Sequence, residues 1–66
     1  MMKSPEGIYN GNWIRDEKNG RGVMNYNNGD IYEGEWKNGL KDGYGIYKYY
    51  NGDKYSGNWK EDKKQG

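Results

Sequence analysis

Polar and apolar residues alternate along the chain in short runs. In Tyr32-Glu33-Gly34-Glu35-Trp36 the rings and the glycine fall on one side and the two carboxylates on the other. Tyr9 to Trp13 and Tyr55 to Trp59 repeat the same spacing. A period of two with one packed and one wet side predicts a β-strand. A second kind of strand follows each of the first two. Gly45, Tyr47 and Tyr49 share one side in the second unit, and Gly22, Met24 and Tyr26 share it in the first. Between the runs lie Lys37-Asn38-Gly39, Asn28-Gly29-Asp30 and Asn51-Gly52-Asp53, whose Asn-Gly pairs tolerate the positive φ of tight turns. Each unit therefore reads as a β-hairpin.

The hairpins recur at a period of 23 residues. Shifting the chain by that amount aligns Tyr9, Tyr32 and Tyr55, then Gly11, Gly34 and Gly57, then Trp13, Trp36 and Trp59, and finally Gly20, Gly43 and Gly66. Ten of the 23 positions in 9–31 and 32–54 are identical, Lys18 and Lys41 among them. Periodicity of this length marks an array of stacked supersecondary units. Residues 1–8 form a lead-in that lacks the pattern, since Glu6 stands where the repeat wants Gly. Two full units at 9–31 and 32–54 follow, and then half of a third at 55–66. The expected fold is all-β: a single-layer twisted antiparallel sheet of about five strands.

Composition changes what the core can be made of. Ile, Leu, Val and Phe together number six of the 66 residues, against eight Tyr and three Trp. Gly between Tyr and Trp answers this shortage, because a ring from a neighbouring strand can lie flat over bare backbone. The net charge of +1 argues against disorder by self-repulsion. Twelve Gly, nine Asn and no Ala argue against helix.

Several chemistries are excluded by what is missing. Without Cys or His there is no thiolate, no disulfide and no imidazole base, and with only Ser4 and Ser56 a serine-type triad has nothing to work with. No cofactor is expected. The longest apolar runs are pairs such as Val23-Met24 and Tyr49-Tyr50, so neither a membrane span nor a leader is expected and the expected location is the cytoplasm. Glu33 and Glu35 lie two apart but have neutral equivalents in Asn10, Asn12, Ser56 and Asn58, so they read as a solvated face rather than an acid and base. The Gly-x-Gly pairs lack the third Gly of a dinucleotide site, and Asn-Gly-Asp lacks the later ligands of a calcium loop. Nucleic acid is not expected: Lys41 to Tyr49 resembles an RNA-binding sheet motif, but Asp42 takes its basic position and Tyr47 its aliphatic one.

Tyr-x-Gly-x-Trp, a Gly-rich loop, Gly-x-Gly and then Tyr with Asn-Gly-Asp resemble the membrane occupation and recognition nexus (MORN) repeat. Residues 32–54 carry Tyr32, Gly34, Trp36, Gly39, Gly43, Gly45, Tyr47, Tyr49, Gly52 and Asp53 in its register; Asp16, Met24 and Asp62 depart from it. The resemblance implies a non-enzymatic docking surface for proteins or membrane phospholipids, in ciliary, cytoskeletal or membrane-junction assemblies or as an extension regulating an enzyme. A partner polypeptide is expected on the aromatic face through Tyr26, Trp36, Tyr44, Tyr47, Tyr49 and Tyr50, because one layer cannot cover both sides of every ring. Tyr44 and Tyr50 are additional rings, since the first unit has Arg21 and Asn27 there. The alternative is a tether to anionic lipid headgroups through Lys37, Lys41, Lys60, Lys63 and Lys64 in hairpin loops and the tail, blunted by Asp42, Glu61 and Asp62. Self-association through the sheet edges is a further expectation.

Overall fold

A computed structural model describes residues 2–64, with the side chains described from residue 5 onward. Strands β1 (Met2–Ser4), β2 (Gly7–Ile14), β3 (Glu17–Tyr26), β4 (Ile31–Lys37), β5 (Leu40–Lys48), β6 (Lys54–Lys60) and β7 (Lys63–Lys64) pair in chain order, every pair antiparallel. The result is one open sheet, with no helix among the described residues, and the molecule is only 14 Å deep along its shortest axis. Seven strands replace the expected five. The lead-in is not outside the sheet, since Met2, Lys3 and Ser4 pair with Tyr9, Ile8 and Gly7. At the other end Lys63 and Lys64 return along β6. Gly66, aligned with Gly20 and Gly43 in the sequence, lies outside the described residues.

Two kinds of turn alternate. At one end of the sheet, Arg15-Asp16, Asn38-Gly39 and Glu61-Asp62 are two-residue hairpin turns with both residues at positive φ, between 49° and 84°. That is the type I′ geometry, whose twist matches the strands it joins. Only Asn38-Gly39 has the residue types that adopt it without strain. At the other end, Gly29 and Gly52 donate N–H to the carbonyls of Tyr26 and Tyr49 (3.1 and 3.0 Å), and Asp30 and Asp53 accept from the N–H of Tyr26 and Tyr49 in return. Successive hairpins are also linked turn to turn: Gly39 N–H reaches the Lys18 carbonyl and Asp62 N–H the Lys41 carbonyl, each at 2.9 Å.

The pairing register turns the 23-residue period into rows across the sheet. Gly11, Gly22, Gly34, Gly45 and Gly57 stand directly opposite one another on β2 to β6. Beside them run Tyr9, Met24, Tyr32, Tyr47 and Tyr55. Tyr9 lies over Gly22 and Tyr32 over Gly45, so closely that a Cβ on either glycine would overlap the phenol. Each hydroxyl then donates to a carbonyl three residues along its own strand: Tyr9 to Asn12 at 2.6 Å and Tyr32 to Glu35 at 3.0 Å. Vacant backbone and flat ring thus interlock as the alternation requires.

Tryptophan closes the ladder. Trp36 meets Tyr9 and Tyr32 edge-on (5.6 and 4.9 Å between centroids), and Trp59 meets Tyr32 and Tyr55 in the same way (5.5 and 5.4 Å). Contacts of this geometry contribute about 0.5–1.5 kcal/mol each beyond the area they bury. Tyr9, Met24, Tyr32, Trp36 and Trp59 are the buried core, so the indoles and phenols do form the interior. Trp13, the first in the series, is 45% exposed.

Candidate functional site

β-Bulges give the aromatic face its particular contents. Between Gly34 and Trp36 the register shifts against β5, so that Trp36 pairs with Lys41 while Gly34 pairs with Gly45. The shift between Gly11 and Trp13 does the same for Trp13 and Lys18. A bulge re-aims side chains. Lys18 and Lys41 stand beside these bulges on the ring face, and Lys64, paired with Trp59, takes the equivalent place in the third unit.

Lys41 Nζ sits within 5.3 to 5.9 Å of the centroids of Tyr26, Tyr32, Trp36, Tyr47 and Trp59, and 3.3 Å from Asp62 Oδ1. Its side chain is 13% exposed. Lys18 Nζ occupies the equivalent place over Tyr9 and Trp36 (5.8 and 5.2 Å), and Lys64 Nζ over Tyr49 and Tyr55 (5.3 and 5.0 Å). Lys64 also donates to the Tyr49 hydroxyl at 2.7 Å. An ammonium over a ring is attracted by the ring quadrupole, more strongly when both are withdrawn from water.

These positions correct the lipid set. Lys41 is expected in or beside a hairpin loop facing headgroups, but it stands within β5 on the side of Gly45 and Tyr47, with its ammonium among rings and beside a carboxylate. Lys64 leans on the same face. Lys37, Lys60 and Lys63 do stand exposed at the type I′ turns. A hollow of about 280 Å³ opens beside them, lined by Lys37, Leu40, Asp42, Lys60 and Glu61.

The expected partner-binding rings divide into three groups. Trp36 is core, only 5% exposed, with its indole N–H donating to the Gly22 carbonyl at 3.3 Å. Tyr26, Tyr47 and Tyr49 form a continuous half-buried strip: Tyr26 stacks on Tyr47 (5.7 Å, 30°) and Tyr47 leans on Tyr49 (4.8 Å). Tyr44 does not share their face. It pairs with Asn58 on the opposite side of the sheet and is half exposed. Tyr50, 77% exposed, is in the loop between β5 and β6, outside the strip.

Asp30 anchors the far end of the strip. Buried to 7% exposure, it accepts from the Tyr47 hydroxyl (2.9 Å), the Tyr50 N–H (2.8 Å) and Asn28 Nδ2 (3.3 Å). Its equivalent Asp53 is exposed and holds only its own loop: its backbone N–H donates to Asn51 Oδ1 (3.0 Å) and its carboxylate Oδ2 accepts from Asn51 Nδ2 (3.4 Å). Burial pushes the Tyr32 phenol up to about 12, and burial together with the Asp30 carboxylate does the same for Tyr47. Burial raises Tyr26 further still and raises Tyr9 as well. These phenols are neutral hydrogen-bonding groups at ordinary pH.

A family model for the MORN repeat matches residues 9–31, 32–54 and 55–66. The chain belongs to the MORN repeat family. No curated protein matches it. MORN repeats are in general non-enzymatic modules that mediate protein or membrane interactions. The recurring lysine of this MORN array is visible as the Lys18 and Lys41 identity, and alternation places both on the side of Gly22, Met24 and Tyr26 or of Gly45, Tyr47 and Tyr49, provided the strand extends that far towards the turn. The charge role of Asp62, one of the departures from the MORN pattern, had no sequence signal.

Proposed function

We propose that this MORN array docks a partner polypeptide across its ring face, over the strip of Tyr26, Tyr47 and Tyr49 bordered by Lys41 and Lys64. The observation that carries this reading is the strip itself. Its phenols touch one another in series yet stay half exposed, because nothing in a one-layer sheet lies above them. Rings with a polar tip supply large contact area at low entropic cost, and aromatic positions dominate interface energetics. Trp59 and Tyr32 support the strip by leaning on Tyr47 (5.8 and 6.5 Å between centroids), Trp36 lies in the core, and Tyr44 and Tyr50 lie outside the footprint.

The experiment is site-specific photocrosslinking in the native cell. A benzophenone amino acid at Tyr49 is expected to capture one discrete partner. The same group at Ser56, on the opposite face, is expected to capture none. Equal capture from the two positions, or none from position 49, counts against the reading.

Exposed Leu40 beside Lys37 and Lys60 favours a second reading, a peripheral tether to anionic lipid. An apolar side chain between two cations suits a headgroup boundary, at about 1 kcal/mol for each charge near the surface. Flotation with phosphatidylserine vesicles at low and high salt tests it. Binding that ignores salt, or that survives Lys37→Gln with Lys60→Gln, rejects the tether.

A further inference from the structure

Lys18 and Lys41 are equivalent by the repeat but differ in their partners: Lys41 Nζ reaches the Tyr26 hydroxyl (3.4 Å), Asp62 and five rings, and Lys18 Nζ only two rings. Asp62 gives Lys41 a carboxylate, whose Oδ1 accepts from the Lys41 backbone N–H (2.7 Å) and lies 3.3 Å from its ammonium. The residue that stands to Lys18 as Asp62 stands to Lys41 is Gly39, which has no side chain. Both hairpin turns make the same backbone bond to their lysine, Gly39 N–H to Lys18 and Asp62 N–H to Lys41 at 2.9 Å. The backbone scaffold is therefore the same in both places, and Lys18 has neither the carboxylate nor the phenol hydroxyl that Lys41 reaches.

The missing group leaves space. A cavity of about 80 Å³ lies between the two lysines, lined by Lys18, Gly39, Lys41 and Trp36 and also by the carboxylate residues Asp62 and Glu6, of which Asp62 is already paired with Lys41. A Cβ at Gly39 would meet nothing within 4 Å. Lys18 is 9% exposed, and among the described residues it has no hydrogen-bond acceptor and no ion-pair partner; its ammonium faces only the rings of Tyr9 and Trp36. A buried cation with no counter-charge costs free energy that an incoming anion recovers. Glu6, on the cavity wall, makes no ion pair with it.

We propose that this cavity is the seat for one carboxylate of an acidic residue in the docked polypeptide, held by Lys18 in the way that Asp62 is held by Lys41. This rests on the docking reading above and adds the chemistry of the partner: an Asp or Glu side chain beside the phenol strip. The cavity admits a carboxylate and little more. The specificity is for a single acid at a fixed place rather than for overall negative charge.

Titration of the isotopically labelled chain with a neutral eight-residue peptide containing one Asp tests this, with the Trp36 indole and Gly39 amide signals as readouts. The same peptide with Asn and acetate alone are the comparison arms. The Asp peptide is expected to move both signals and the Asn peptide neither. Lys18→Met keeps the hydrocarbon under the rings and is expected to weaken binding about tenfold, the loss of one charge-assisted hydrogen bond. Gly39→Asp, tolerable because Asp62 already adopts φ 71° in the equivalent turn, should fill the seat from within and abolish the response. Silence from the Asp peptide, or a full response in Gly39→Asp, overturns the proposal. Saturation by acetate as strong as by the peptide assigns the seat to free small carboxylates and overturns the peptide form. Crosslinking from position 49 reads independently, so capture there with no carboxylate response removes the seat and leaves the docking surface standing.

Discussion

Gly45→Ala is the sharpest test of how this sheet is held together. A methyl at that position would enter the space of the Tyr32 hydroxyl and ring, and the strand carrying it cannot retreat because Gly45 is paired on both sides, with Gly34 and Gly57. Tyr32 must lift. It then loses its bond to the Glu35 carbonyl, about 1 kcal/mol, and two edge contacts with Trp36 and Trp59, about 0.5–1.5 kcal/mol each. The expected loss is about 2–4 kcal/mol, in a chain whose size suggests a total stability of about 3–10 kcal/mol. Gly52→Ala is the control: nothing lies within 4 Å of the added Cβ, and only the positive φ of 101° is strained, at about 1–2 kcal/mol. Urea unfolding followed by tryptophan fluorescence separates them. With an m-value of about 1 kcal/mol/M, the midpoint should fall by about 2–4 M in Gly45→Ala and by about 1–2 M in Gly52→Ala. Tyr32→Leu should make Gly45→Ala nearly harmless, since the ring it collides with is gone. Equal midpoints for the two alanine variants, or strict additivity with Tyr32→Leu, would refute the ring-over-glycine account.

Other expectations follow from internal comparisons within the repeat. Asp16→Gly relieves a residue held at φ 67° in a type I′ turn and should raise the thermal midpoint by a few degrees, about 0.5–1 kcal/mol; an unchanged or lower midpoint contradicts the strain argument. Asp30→Ala strips the Tyr47 hydroxyl and the Tyr50 N–H of their acceptor and should cost about 2–4 kcal/mol, whereas Asp53→Ala, in the exposed equivalent loop, should cost under about 1; comparable losses in chemical denaturation would overturn the distinction. Alkali should unfold the sheet in a defined window. The phenols of Tyr32 and Tyr47 ionise near 10 in the unfolded chain and near 12 in the folded one, so their contribution is complete below pH 10 and is lost as pH rises towards 12. Circular dichroism across that range checks it, and a fold unchanged beyond pH 12 would count against burial of these groups.

The hairpins, the 23-residue register and the glycines beneath the rings were all legible in the sequence, because each follows from side-chain alternation and from steric room that only Gly leaves. The pairing of Met2–Ser4 was not, since that segment departs from the repeat yet needs only backbone hydrogen bonds to join β2. The candidate site was half legible. Tyr26, Tyr47 and Tyr49 follow from counting along the strands. Lys41 falls on the same side by that count, but its place next to the turn reads as loop, and only the pairing of Trp36 with Lys41 shows that the strand reaches it. Tyr44 was misassigned for a different reason: it was grouped by its chemistry as a ring, although its strand position puts it opposite Asn58.

The strictly sequential strand order has a mechanical consequence. Tension applied to the two ends of the sheet reaches every hairpin at its open mouth, so the ladder bonds are loaded one at a time rather than together in shear. Such an array lengthens by peeling, with a low and nearly level resistance as each turn gives way. A single abrupt rupture at high force in a pulling experiment would contradict it.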